Sequence, residues 1–121
     1  MQTSTRSAEG VTIVDVSGRI TVGEGNVMLR DVIRGLIEQG DRYILLNLGD
    51  VQYVDSSGLG ELVRTYTTVR NQGGDLKLVN LSKRVNDLLQ ITKLAAVFDI
   101  AADEEIGIRS FRGDSASEAV A

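Results

Sequence analysis

A chain of 121 residues with 42% hydrophobic content is long enough to bury one core and too short to build two. Seventeen acidic against thirteen basic residues, a formal charge of −4, argue against a nucleic-acid backbone as the main partner. Histidine and cysteine are both absent, which removes disulfides, thiolate nucleophiles, serine triads and most zinc sites from consideration.

In chain order, "VTIVDVSGRI" alternates apolar Val11, Ile13, Val14 and Val16 with polar residues and predicts a strand that turns at Ser17 and Gly18. Residues Gln2 to Ala8 are expected to pair with it across a Glu9-Gly10 turn. "NVMLRDVIRGLIEQG" places Leu29, Val32, Ile33, Leu36 and Ile37 on one helical stripe stopped by Gly40. "YILLNL" is a continuous apolar run of the kind expected in a strand covered on one or both faces, and Val51 to Asp55 lead from it into a second helix.

That helix carries Leu59, Leu62, Val63, Tyr66 and Val69 at helical spacing and ends near "NQGG". "DLKLVNL" reads as a strand, and Ser82 as the cap of a third helix with an apolar face of Val85, Leu88, Leu89 and Thr92. "AAVFDIA" reads as a last strand and "DEEIGIRSFRG" as a weaker helix, with Gly113 to Ala121 expected to be a disordered tail. Strands alternating with helices on short connections predict an α/β layer structure over residues 1–112. No run approaches the ~20 apolar residues of a membrane span, so direct membrane insertion is not expected and a cytoplasmic location is. Acidic groups such as Asp103, Glu104 and Glu105 read as a solvated helix start, and no metal or cofactor is expected.

The stretch "VDSSGLGELV" sits where the second helix must start, since aspartate, serine and glycine are poor interior helix formers. Asp55 or Ser56 is expected to cap that helix, leaving Ser57 on an exposed polar face shared with Gly60, Glu61 and Arg64. Gly58 and Gly60 either admit a second backbone or allow close helix–sheet packing.

Together with the preceding "YILLNLGDVQYV" and the following "GGDLKLVNLSKRVNDLLQITKL", this stretch closely resembles the STAS domain of bacterial anti-sigma factor antagonists. The resemblance runs from about Thr12 to Phe111. It implies a mixed β-sheet of four to five strands with helices packed mainly on one side. It further implies that the unphosphorylated chain binds a serine-kinase anti-sigma factor and releases a sigma factor, that phosphorylation of the second serine, Ser57, breaks the complex, and that a serine phosphatase resets it. The chain would then be a substrate with no catalysis of its own, a monomer or weak dimer.

The surface expected to meet the partner combines Thr21, Gly23 and Glu24 of a glycine-rich loop with Asp55, Ser56, Ser57, Gly58, Gly60, Glu61 and Arg64. Similar antagonists commonly carry an aspartate where this chain has Thr21. The alternative reading is a STAS scaffold or accessory subunit of a stressosome-like or phospholipid-transport complex.

Overall fold

The computed structural model describes residues 1–112, so the expected tail lies outside the described residues. The chain enters its sheet through a two-residue hairpin: β1 (Gln2–Ala8) pairs antiparallel with β2 (Val11–Ile20), Ala8 opposite Val11. Glu9 and Gly10 both take positive φ, 54° and 83°, the backbone that a tight hairpin joining twisted strands requires. The remaining strands, β3 (Tyr43–Val54), β4 (Asp75–Val79) and β5 (Asp99–Ala101), add in parallel, giving a mixed five-stranded sheet in sequence order.

Two strands run further than their sequence indicates. Ser17 and Gly18 do not end β2; Gly18 adopts φ 96° at a register shift and the strand continues to Ile20 as a bulged strand. Beyond "YILLNL", β3 does not stop at Leu48, because β2 keeps pairing with it as far as Ile20 opposite Val54. β4 pairs only with Tyr43 to Asn47. The last part of β3 therefore protrudes past β4 and delivers the chain directly into the next helix.

Helices α1 (Glu24–Glu38), α2 (Ser56–Asn71) and α3 (Lys83–Ile91) cover one face of the sheet. Leu29, Ile33, Leu62, Val69, Val85 and Leu89 pack there against Val14, Ile44, Leu46, Leu76 and Leu78. The opposite face holds a smaller cluster, Val11, Ile13, Leu45 and Val79, covered by Ile108 of α4 (Glu104–Ser110). β3 is thus apolar on both faces because both are covered.

Two further boundaries differ from expectation. Leu94 to Ala96 form a 3-10 turn after Lys93 at φ 65°, which leaves only Asp99–Ala101 as strand. Thr92 is no core residue: it is exposed at the end of α3, where its hydroxyl donates to the carbonyl of Leu88 at 2.8 Å.

Candidate functional site

The end of β2, the loop after it and the start of α2 meet at one carboxylate. Asp55, extended at the N-cap of α2, accepts from the Gly58 amide at 2.7 Å with one oxygen and from the Val22 amide at 3.1 Å with the other. Its own amide donates to the carbonyl of Ile20 at 3.3 Å. The cap is therefore Asp55; Ser56 is the first helical residue, exposed and free of capping duty.

Ser57 occupies the second position of α2 and is half-buried, less open than the sequence predicts. The Gly58 amide is already taken by Asp55, and the positive end of the helix faces this turn. Such an end tolerates an added anion.

The two glycines separate into different roles. A Cβ on Gly58 would meet the Ile20 carbonyl oxygen at 2.1 Å and Val54 Cγ1 at 2.9 Å. Gly58 is buried against its own sheet and offers nothing to a partner. A Cβ on Gly60 would meet only the Arg64 guanidinium, at 3.8 Å, so space lies open above it.

Glu61 departs furthest from expectation. It is only 2% exposed, and its carboxylate accepts from Arg30 of α1 at 2.8 Å, with Arg64 at 3.6 Å. The hydrogen bond to Glu61 raises the basicity of the Arg30 guanidinium. The polar face drawn from Ser57 to Arg64 is therefore divided, Glu61 lying under α1 while Gly60 and Arg64 remain accessible.

In the loop, Thr21 is half-buried and its carbonyl accepts from the Asn26 amide at 3.1 Å. Gly23 (φ 92°) and Glu24 are exposed. Two further residues of the loop expected at Thr21 to Gly25 complete the site. Val22 is 71% exposed beside Asp55, and Gly25 lies so near Arg19 that a Cβ would sit 2.8 Å from its carbonyl oxygen. An apolar residue flanked by Thr21 and Gly23 was the available signal for Val22. Arg30 had none, because its partner lies 31 positions away.

Among the described residues no group of His, Cys, Asp or Glu is arranged to hold a metal ion, and no helix is long and apolar enough to cross a membrane. The turn thus brings together the half-buried Ser57, the exposed loop residues Val22 to Glu24 held by Asp55 and the open space over Gly60.

Comparison with known proteins gives a consistent picture. The STAS domain family matches residues 2–106. The anti-sigma-B factor antagonist of Bacillus subtilis is 44% identical over 96 residues, covering 79% of this chain and 86% of that protein. Among solved structures, an anti-sigma factor antagonist from Mycobacterium paratuberculosis superposes with a TM-score of 0.77 at 20% identity, covering 92% of this chain and 93% of that one. The Bacillus cell fate determinant SpoIIAA, in its phosphorylated form, superposes at 0.67 with 21% identity, covering 90% of this chain and 99% of that one.

Proposed function

The chain belongs to the STAS domain family, and on that premise we propose that it is an anti-sigma factor antagonist whose unphosphorylated form binds a serine-kinase anti-sigma factor, with phosphorylation of Ser57 ending the complex. The observation that carries this reading is the placement of Ser57 in the first turn of α2, beside a loop pinned by Asp55. The 44% identity to the Bacillus subtilis anti-sigma-B factor antagonist supports the same partner class. The existence of SpoIIAA in a phosphorylated form supports the modification.

The mechanism follows from charge and space. A phosphate on Ser57 adds about −1.5 to −2 charges at pH 7. At a helix N-terminus the fold accommodates that charge. A partner packed on the same surface must instead desolvate it or leave it facing its own groups. A loss of about 4 kcal/mol in binding corresponds to roughly a thousandfold in affinity. The chain acts as the substrate of this chemistry, and a serine phosphatase restores the hydroxyl. Thr21, Gly23, Glu24, Gly60 and Arg64 form the accessible contact surface, while Asp55 and Gly58 hold it in shape and Glu61 anchors α2 to α1.

The test is phosphorylation by an anti-sigma kinase, the Bacillus subtilis anti-sigma-B factor serving as probe with ATP. Mass spectrometry is expected to find one phosphate on the parent and on Ser56→Ala, and none on Ser57→Ala. Modification at Ser56, or of all three proteins alike, overturns the assignment.

A further inference from the structure

Arg64 is the loosely held cation of α2. Its side chain is 65% exposed, and its guanidinium stands 3.6 Å from the Glu61 carboxylate, beyond hydrogen-bond reach. Arg30 of α1 holds the same carboxylate oxygen at 2.8 Å, so Glu61 stays compensated when Arg64 leaves it. A long ion pair open to solvent on one side is weak.

The guanidinium points back along α2 toward its first turn. Helical side chains lean toward the N-terminus, and a Cβ on Gly60 would meet Nη2 of Arg64 at 3.8 Å. Gly60 lies three residues beyond Ser57, about 4.5 Å along the helix axis. Ser57 and Arg64 are seven residues apart, within about 20° of one line on the helix surface. The charge therefore stands about one turn from the Ser57 hydroxyl, and glycine leaves the surface between them bare.

That turn needs a cation once it is modified. The Gly58 amide is taken by Asp55. A phosphate on Ser57 would stand between two carboxylates, Asp55 two residues before it and Glu61 one turn after it.

We propose that Arg64 is the internal counter-ion of phosphorylated Ser57: on modification its guanidinium leaves Glu61, passes over Gly60 and pairs with the phosphate through charge-assisted hydrogen bonds. The inference rests on the reading of Ser57 as the modified residue and extends what the modification does. Pairing withdraws a cation from the face presented to the anti-sigma factor. It also lays the arginine stem across Gly60, closing the open space there. The contact surface thus changes shape as well as charge, with no rearrangement of the backbone.

The test installs phosphoserine at position 57 during translation in the full chain and in its Arg64→Gln and Arg64→Lys variants, each compared with its unmodified form. At low salt, phosphorylation is expected to raise the melting temperature of the parent by about 2–4 °C more than that of Arg64→Gln. Arg64→Lys keeps the charge without the guanidinium fork and is expected to recover part of the difference. The Arg64 Nε–H resonance, assigned by its loss in Arg64→Gln, is expected to move on phosphorylation, while that of Arg30 stays. Equal changes in melting temperature for the parent and Arg64→Gln, or an unmoved Arg64 resonance, would overturn the inference, since the helix amides alone would then carry the phosphate. Titration of the phosphorylated parent with the Bacillus subtilis anti-sigma-B factor reads the function separately. Retained binding there would overturn the functional reading, and with it the pair's part in a switch, whatever the melts show.

Discussion

Asp55 and Val22 are 33 positions apart, yet the carboxylate of one accepts from the amide of the other at 3.1 Å while capping its own helix at Gly58. One side chain thereby fixes the loop after β2 relative to the first turn of α2. Asp55→Ala is expected to lose both bonds and to destabilise the fold by about 1–2 kcal/mol. Asp55→Asn keeps one acceptor oxygen for the Gly58 amide but turns an NH2 donor on the Val22 amide, and is expected to lose less than Asp55→Ala while still losing the loop bond. Urea unfolding of the two variants checks the order.

Gly58 and Gly60, two residues apart, are expected to respond oppositely to alanine. Gly58→Ala forces a Cβ against the Ile20 carbonyl oxygen, 2.1 Å away, and is expected to destabilise by about 2 kcal/mol or more. Gly60→Ala meets only the end of the flexible Arg64 side chain and is expected to be neutral or to stabilise by up to about 1 kcal/mol, since alanine is the better helix former. Thermal melts separate them. Gly60→Gln, folded by the same criterion, is expected to weaken binding to the anti-sigma factor.

Ser57→Asp is expected to leave the melting temperature within a few degrees of the parent and to abolish partner binding. The half-buried hydroxyl sits at the positive end of α2, where a carboxylate is favourable by about 0.3–1 kcal/mol. Circular dichroism with a binding titration tests both halves of the statement, and an unfolded variant would place the serine in the core.

On the opposite face of the sheet, hydrogen bonding from Arg6 holds the Asp15 carboxyl below its ordinary range, assisted by Asn47. Because the folded-state value is depressed, the stability that Asp15 contributes is present above the unfolded value of about 3.9. It is lost as pH falls through the folded value. Asp15→Asn is therefore expected to lower the melting temperature at pH 7, with the gap to the parent closing as pH drops below about 4. A gap that stays constant with pH would mean that the effect is one of packing alone.

Periodicity made most of this architecture legible. The alternation in Val11 to Val16, the stripe from Leu29 to Ile37 and the Ser82 cap each report a local preference that packing then reinforces. The ends of β2 and β3 were not legible, because Gly18 and Gly49 look like stops to a local rule while pairing between distant strands carries the ladder through them. The same limit governed the site. Ser57 was singled out by the resemblance of "VDSSGLGELV" to the STAS family, and Gly60 by its helical spacing from it. The burial of Glu61 was hidden because Arg30 approaches from another helix, and the second role of the Asp55 cap was hidden because the Val22 amide it holds lies 33 positions away.

Arg6 gives the molecule a mechanical property. Its guanidinium grips Asp15 of β2 and Glu104 of α4 at once, at 2.7 and 2.6 Å, fastening the first strand to the last helix. Tension applied at the N-terminus would load the Gln2–Ser17 end of the β1–β2 ladder first and reach this exposed ion pair only afterwards. A segment fused ahead of Met1 would therefore pull on β2 itself, the strand whose far end carries the loop that Asp55 holds beside Ser57.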